Sequence, residues 1–282
     1  MEALLSHSFD YLSSYDPNKV RKGLRQVEGL LAQICLSRGK QTAAAEKRRS
    51  MASAGNQQSS PKALDELPAD PAFREFYKLQ ESFQWNVAMR LVSCLEHLLD
   101  HGNDGSNDLL IVAALNLIHG VLLLHPPSRT IFSRENNMNL LLDLLDPGNC
   151  PAVQSATLLA LVSALLDQPA NTRTFEEVDG LLTVTSLFKS RSTSREVKLK
   201  LVEFLYFYLM PETPNTTTSS PSNGAGLHRS PSKAASTLAA SDHRMGRETR
   251  TTDDKQRILG RYLHNVADLV EDLKETAPFG AI

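Results

Sequence analysis

Two stretches of the sequence decide the fold: LLIVAALNLIHGVLLL at residues 109–124 and AVQSATLLALVSALL at residues 152–166. Each is apolar around almost the whole circumference of a helix, which is typical of a helix buried on all sides. The second stretch repeats the first at an offset of about 43 residues, and a third copy begins within residues 194–209. The matched positions are Leu115, Leu158 and Leu201; Ile118, Leu161 and Phe204; Leu122, Leu165 and Tyr208.

The segments between the long stretches repeat as well. Pro126 returns as Pro169, and Phe132 returns as Phe175. An offset of this size is the spacing of an armadillo or HEAT-type helical repeat. We therefore predict an all-α fold, an armadillo- or HEAT-like α-solenoid in which stacked helices form a right-handed superhelix, with disordered loops.

The organisation of the chain follows from where the apolar pattern stops. Helices at the N-terminal end of the solenoid are predicted for residues 1–36, and the repeat core for residues 67–210. Residues 37–66 are polar and small, which predicts a disordered linker. Residues 211–256 are rich in Ser, Thr and Pro, which predicts a disordered loop. Residues 257–282 restore a helix pattern, which we expect to dock on the core, with the groove of a partner protein as the alternative.

Composition limits the classes of function. The chain has 282 residues and a net charge of −2, so there is no general basic character for binding nucleic acid. No apolar stretch reaches the roughly 20 residues of a membrane span, and the N-terminus lacks the pattern of a secretory signal. Cys35, Cys94 and Cys150 are widely spaced and odd in number, which favours a reducing compartment. A cytoplasmic or nuclear protein without membrane insertion is expected.

The motifs of common enzyme classes are missing from the sequence. It contains no glycine-rich phosphate loop, no GxSxG nucleophile elbow and no kinase catalytic loop. A cysteine-based phosphatase needs an arginine six residues after its cysteine, and those positions hold Gln41, Asp100 and Ala156. We therefore predict a non-enzymatic binding scaffold that needs no cofactor.

One local cluster favours an alternative. Cys94, His97 and His101 lie at positions i, i+3 and i+7 of one helix, so they share a face. Zinc prefers thiolate and imidazole ligands, which makes a metal-stabilised module or a metal-dependent enzyme the alternative hypothesis. No fourth ligand is apparent in the sequence, and Cys94 lies within a stripe of leucines, so a core cysteine beside helix-end histidines is the favoured interpretation.

Candidate partner-binding residues lie in three parts of the chain. The second helix carries a basic face, residues 73–90 concentrate aromatic side chains, and an arginine follows each of the two long apolar helices. The candidates are Arg21 and Arg25; Arg74 and Trp85; Arg129 and Arg173. A basic face is also typical of a solvated helix surface. The last two arginines could bind the free carbonyls of a helix end or a partner's carboxylate or phosphate.

Three serines precede prolines and are candidate phosphorylation sites: Ser60, Ser220 and Ser230. The sequence Ser230-Pro231-Ser232-Lys233 has the proline and downstream lysine that cyclin-dependent kinases prefer. A phosphate would add about −1.5 to −2 charge at such a site.

Longer strings of the sequence resemble one family. They are LSSYDPNKVRKGLRQVEGLLAQICLSRG (12–39), LPADPAFREFYKLQESFQWNVAMRL (67–91), HGVLLLHPPSRTIFSRENNMNLLLDLLDPGNCPAVQS (119–155), ANTRTFEEVDGLLTVTSLFKSRSTSREVKLKLVEFLYFYLMPE (170–212) and LVEDLKETAPFG (269–280). The chain resembles the fungal family of cell division control protein fourteen, a component of the septation initiation network. That family is distinct from the phosphatase that shares its name.

The resemblance implies a non-enzymatic regulatory or scaffold subunit. Such a subunit would bind a germinal-centre-type Ser/Thr protein kinase, support its activity and recruit it to the spindle pole body. The kinase cascade would then trigger cytokinesis and septum formation. The implied location is the cytoplasm and the spindle pole body, with the nucleus as an alternative. A homotypic structural scaffold without a kinase is a third hypothesis.

Overall fold

The computed structural model describes residues 1–36, 61–63, 65–100, 105–212 and 249–266. Within these ranges the regular structure is helical, and the only β-type pairing is an isolated antiparallel bridge between Leu36 and Pro61. The predicted all-α class is therefore confirmed. None of the helices found in these ranges is both long and apolar enough to cross a membrane.

The described residues form α-helices numbered here in chain order, together with two short 3₁₀-helices, η1 (Leu67–Ala69) and η2 (Pro126–Ser133). The α-helices are α1 (Glu2–Leu12), α2 (Pro17–Cys35), α3 (Pro71–Gln80), α4 (Val87–Asp100), α5 (Asp108–Leu124), α6 (Glu135–Asp143), α7 (Pro151–Leu165), α8 (Pro169–Glu177), α9 (Gly180–Lys189), α10 (Arg195–Leu209) and α11 (Thr252–Leu259).

Helix starts follow from local chemistry. Asp16 and Asp70 each precede a proline, and each carboxylate accepts a hydrogen bond from a backbone N–H of the first turn. The bonds are 2.9 Å from Asn18 N to Asp16 and 2.7 Å from Ala72 N to Asp70. Such a bond satisfies an N–H that has no partner within the helix. A proline in the first helical position removes no helical hydrogen bond, because the N–H it lacks would have had no partner there.

The two apolar stretches are the central helices, α5 and α7, and they pack against each other. α5 is also covered by α2 and α4, while α7 is covered on its far side by α10. Leu115, Ile118, Leu122 and Leu161 are completely buried. Burying a leucine or isoleucine is worth about 1.5–3 kcal/mol, so this contact contributes much of the stability of the fold.

The repeat is visible in the order of the elements. α5, η2 and α6 are followed by α7, α8 and α9 in the same arrangement along the chain, and α10 begins a third set. η2 packs against α8, and α6 also packs against α8, so the shorter elements of the two sets contact each other. Phe132 and Phe175, which occupy matched positions, are both completely buried.

The structure differs from the sequence prediction near residue 257. The last described helix begins at Thr252, inside the predicted loop, and ends at Leu259, short of the predicted helix end. Thr251 and Asp254 form a reciprocal capping box, which fixes this earlier start. Leu259, Leu263 and Val266 are buried in the common core, so this segment packs on its own chain. Residues 267–282 lie outside the described residues.

Part of the predicted linker 37–66 is also ordered. Lys62 Nζ donates a 2.7 Å hydrogen bond to the carbonyl of Ile34 and forms an ion pair with Asp70. It therefore connects the end of α2 to the start of α3. Residues 37–60 and 213–248, which make up most of the two predicted disordered segments, lie outside the described residues.

The close contact between α1 and α2 depends on Gly23. A Cβ at this position would lie 3.0 Å from the carbonyl oxygen of Ser8 and 3.0 Å from Tyr11 Cβ. A Cβ at Gly29, in the same helix, would have no neighbour within 4 Å. The two glycines of one helix therefore differ in whether packing requires them.

We expect Gly23→Ala to lower the free energy of unfolding by about 1–2 kcal/mol, because the added methyl group forces α1 and α2 apart. Gly29→Ala is the matched control, and it should raise the same quantity by about 0.5–1 kcal/mol because alanine favours the helix. Urea unfolding of both variants measures the difference. Equal effects of the two substitutions would contradict the proposed helix contact.

Candidate functional site

Two of the sequence-predicted surfaces meet at a groove. One wall comes from the turn between α3 and α4, within the aromatic-rich segment 73–90. The other wall comes from η2 and the residue after it. We call this the Phe83 groove, and it encloses about 320 Å³. Its apolar lining is Phe83, Met89, Pro127 and Ile131, and its charged lining residues are Glu81 and Arg134.

Buried amide side chains hold the first wall in place. Gln80 Nε2 donates to the carbonyl of Trp85, and Gln80 Oε1 accepts a 2.7 Å hydrogen bond from Val87 N. Asn86 Nδ2 donates to the carbonyl of Gln80 at 2.7 Å. These bonds close the turn that carries Phe83, so the turn has one defined conformation although it lies at the surface.

A second set of hydrogen bonds joins the two walls. Asn86 Nδ2 also donates to Ser128 Oγ at 2.9 Å, and Ser128 Oγ lies 2.8 Å from His125 Nδ1. Ser128 Oγ has two lone pairs as well as a proton, so it can accept from Asn86 and still bond to His125 Nδ1, which links both walls through one hydroxyl. His125 is only 1% exposed, and burial lowers its pKa to about 4. The groove is therefore built on a neutral histidine at physiological pH.

The rim of the groove presents an aromatic side chain to solvent. Phe83 is 71% exposed, although its neighbours Asn86 and Val87 are buried. Arg134 is also exposed, and it takes part in none of the ion pairs found among the described residues. A large aromatic side chain on a rigid turn beside an unpaired cation is typical of a protein-binding surface.

Arg129 was predicted to contact either a helix end or a partner, and the structure places it at helix ends. It is 5% exposed, its Nε donates to the carbonyl of Leu122 at 3.1 Å, and its Nη1 donates to that of Leu166 at 2.9 Å. These are carbonyls at the ends of α5 and α7 that their own helices leave free. Arg129 therefore braces the two central helices and is unavailable as a surface contact.

Arg173 has a third kind of environment, which neither sequence interpretation included. It pairs with Glu176 at 2.9 Å and with Glu212. Glu176 also pairs with Arg250, and Glu212 pairs with Lys255 at 3.4 Å. We call these five residues the ion-pair cluster. Its carboxylates come from the same chain, so the partly exposed Arg173 pairs within the chain rather than with helix-end carbonyls.

Tyr208 completes the ion-pair cluster. Its hydroxyl donates a 2.7 Å hydrogen bond to Glu176, and Lys255 Nζ lies 5.3 Å from the centre of its ring. Burial raises the pKa of Tyr208, and the neighbouring Glu176 raises it further. Burial lowers the pKa of Lys255, while Glu212 opposes this change. The cluster thus joins α8, the end of α10 and residues 249–255.

The remaining candidates on the N-terminal helices lie at or near the surface. Arg21 and Arg25 are exposed on the solvent side of α2, and neither takes part in the ion pairs found among the described residues. Arg74 is exposed on α3. Trp85 is half-buried, with its ring centroid 6.4 Å from that of Phe9. The three arginines are therefore free to contact a partner, whereas Trp85 mainly packs against α1.

The proposed metal ligands do not form a described site. Cys94 is buried within the core, and burial raises its pKa to about 12, which keeps the thiol protonated. His101 lies outside the described residues, as do Ser60, Ser220 and Ser230. No group of three His, Cys, Asp or Glu side chains suited to a metal ion occurs in the ranges that the structure describes.

Sequence analysis missed Arg134, Ile131 and Pro127 as surface residues of the groove. Their only signal was their position next to Arg129, in a turn that follows a buried helix. Arg129 stood out because an arginine recurs in the matched turn as Arg173. The two arginines have different roles, since Arg129 braces helix ends and Arg173 forms ion pairs, and the groove depends on residues that do not repeat.

Comparisons with known proteins give a consistent result. A family model described as "Cell division control protein 14, SIN component" matches residues 1–279. A curated relative, "Cell division control protein 14" of Schizosaccharomyces pombe, is 28% identical over 290 residues, which cover 100% of this chain and 98% of the relative. No solved structure gives a significant match.

We expect Arg129→Ala to lower the free energy of unfolding by about 2–4 kcal/mol, because it leaves the buried carbonyl of Leu122 and the part-buried carbonyl of Leu166 without this donor. Arg129→Lys should recover little of this loss, since one ammonium cannot reproduce the planar fork of a guanidinium. Arg134→Ala is the matched control and should change stability by less than about 0.5 kcal/mol. Urea unfolding tests all three, and a small effect of Arg129→Ala would contradict its role as a brace.

A pH dependence follows from His125. Its pKa is about 4 in the folded chain and about 6.5 in the unfolded chain. As pH falls from 6.5 towards 4, only the unfolded chain binds this proton, so the free energy of unfolding should fall by about 1–3 kcal/mol. The loss should be complete below pH 4. His125→Gln should lack this component, which the difference between the urea unfolding curves of the two proteins at each pH would show.

Proposed function

Because the chain belongs to the cell division control protein 14 family of septation initiation network components, we propose that it is a non-enzymatic scaffold subunit of that network. It binds a germinal-centre-type Ser/Thr protein kinase and supports the kinase's activity. It also recruits the kinase to the spindle pole body, and the cascade then triggers cytokinesis and septum formation. Its working location is the cytoplasm and the spindle pole body.

The observation that carries this proposal is the Phe83 groove. An exposed phenylalanine on a turn fixed by buried amides offers a rigid apolar anchor, and Arg134 offers a charged contact beside it. Such anchors provide most of the binding energy of protein–protein interfaces. The sequence lacks the motifs of common enzyme classes, which agrees with a role in binding rather than in catalysis.

We further propose that the helices form an armadillo-like stack with a right-handed superhelix. The repeated order of α5, η2 and α6 as α7, α8 and α9 supports this arrangement, as does the packing of α7 between α5 and α10. A stack of repeats offers an extended surface, which suits contact with a folded kinase domain. The exposed arginines of α2 and α3 then add an electrostatic contribution to the encounter.

Two other functions remain as alternatives that experiment can separate. A metal-dependent module would bind stoichiometric zinc, and metal analysis of the purified protein would detect it. A homotypic structural scaffold would purify without a Ser/Thr kinase when it is isolated at its natural abundance. Cys94 lies within the apolar core, among leucines, which favours its role as a core side chain over the first alternative.

We expect Phe83→Ala combined with Arg134→Glu to weaken kinase binding at least tenfold, because the pair removes the apolar anchor and reverses the neighbouring charge. Both side chains are exposed, so the fold should be unaffected. Leu109→Ala, a change at a leucine that is 80% exposed on α5, is the matched control. Binding is measured with purified kinase, and circular dichroism reports folding.

A charge-reversal series extends the test to the basic surface. Arg21→Glu, Arg25→Glu and Arg74→Glu should each slow association, with a larger effect at low salt. If these variants and the groove variant all bind the kinase normally, the proposed surfaces are wrong. If the unmodified protein does not bind the kinase at all, the proposed function itself fails.

A further inference from the structure

We infer that residues 249–266 are a releasable cap, and that the site beneath them can bind the same segment of a second copy of this chain. We call residues 249–266 the cap and the surface that receives it the socket. Two chains would then exchange caps and form a dimer. The two faces of the cap, its ion pairs with the socket and its link to the rest of the chain support this exchange.

The cap has two different faces. Leu259, Leu263 and Val266 point into the core, where each is almost completely buried. Arg257 and Arg261 point outward and are exposed. The cap packs against α10, the last of the long helices among the described residues. The end of a helical stack needs such a polar outer layer, because the last repeat would otherwise expose an apolar face.

Charge holds the first part of the cap. Lys255 Nζ donates a 2.9 Å hydrogen bond to the carbonyl of Met210 and pairs with Glu212 at 3.4 Å. Arg250 pairs with Glu176 of α8. Without the cap, the two carboxylates of the socket would retain Arg173 as their one charged partner and the hydroxyl of Tyr208, so the socket is complementary to a segment that carries an arginine and a lysine at this spacing.

A second copy of this chain carries a segment that already fits the socket. Its residues 249–266 carry the same arginine, lysine and leucines in the same register, so every contact of the cap can form between chains as well as within one. Exchange of an identical element is a low-cost route to dimers, because no contact is lost. α11 has too few residues to persist as an isolated helix, so a released cap would gain by docking on any free socket.

The connection between socket and cap permits this exchange. The two ends of the connection meet, since Glu212 N donates a 3.0 Å hydrogen bond to the carbonyl of Arg250. Residues 213–248 lie between these ends, and a fully extended chain of that length spans about 120 Å. That length is far greater than is needed to bring Glu212 and Arg250 of one chain together. Linking two binding elements through a chain gives an effective concentration of at most about the millimolar range, so exchange competes when copies are crowded together.

The test uses a charge swap between full-length chains. Glu212→Lys alters the socket, and Lys255→Glu alters the cap. Each variant alone places like charges together and should release its cap, which trypsin then cleaves. When the two are mixed, the cap of each variant matches the socket of the other. We expect a 1:1 heterodimer by light scattering, with the caps protected from trypsin again.

Two controls accompany the mixture. The double variant Glu212→Lys with Lys255→Glu restores the pair within one chain and should be a monomer with a protected cap. Arg261→Glu makes the same charge change on the outer face, at an exposed residue in none of the ion pairs of the described ranges, and should behave like the unmodified chain, with no dimer when it is mixed with Glu212→Lys. A mixture of the two swap variants that stays monomeric with cleavable caps would overturn the inference.

A second measurement covers the case in which a swap variant fails to fold. The unmodified chain, prepared with two different fluorescent labels, should show energy transfer between copies as its concentration approaches the millimolar range. Higher salt should speed the appearance of this signal after the two labelled samples are mixed, because it weakens the ion pairs that must open before caps exchange, while the final level should change little. Absence of energy transfer under these conditions would also overturn the inference.

Discussion

The packing of α5 against α7 is the contact on which the rest of the structure depends. Both helices are apolar around most of their circumference, so neither is stable in water until most of that surface is covered; Leu109 and Leu123 of α5 and Leu159 of α7 stay exposed, so the helices are not buried on all sides as the sequence predicted. α2, α4 and α10 provide that cover, and their own polar faces point to solvent. The turns at the ends of α5 and α7 then meet because the helices lie side by side. His119 of α5, whose Nδ1 lies 3.2 Å from the carbonyl of Leu159, adds a polar contact across the same interface.

Close packing of apolar helices leaves polar backbone groups at their ends, and the chain satisfies them with side chains from other elements. Arg129 donates to carbonyls at the ends of both helices. Asn171 Nδ2 donates to the carbonyls of Arg129 and Ala164 at 2.7 and 2.6 Å. In this way η2 and α8, which come from successive repeats, are joined by specific hydrogen bonds. These bonds fix the position of η2 and therefore of one wall of the Phe83 groove.

Sequence reasoning found what local periodicity encodes. The apolar helices, the proline-assisted starts at Asp16 and Asp70, and the burial of matched positions such as Phe132 and Phe175 all follow from neighbours along the chain. The contact of Arg129 with helix-end carbonyls was one of the two interpretations of the sequence, whereas the environment of Arg173 did not follow, because its partner Glu212 is distant in sequence. The groove was missed for the same reason, since segments around Phe83 and Ile131 meet only after folding. The start of α11 could have been found, because Thr251 and Asp254 have the spacing of a capping box.

The fixed turn that carries Phe83 has a thermodynamic consequence. Because Gln80 and Asn86 already hold the turn in the free protein, a partner that covers Phe83 need not order the backbone around it. Binding there would bury apolar surface with little accompanying loss of chain entropy. Calorimetry of such a complex should show a negative heat-capacity change of the size given by rigid-body burial, without the larger change that accompanies coupled folding.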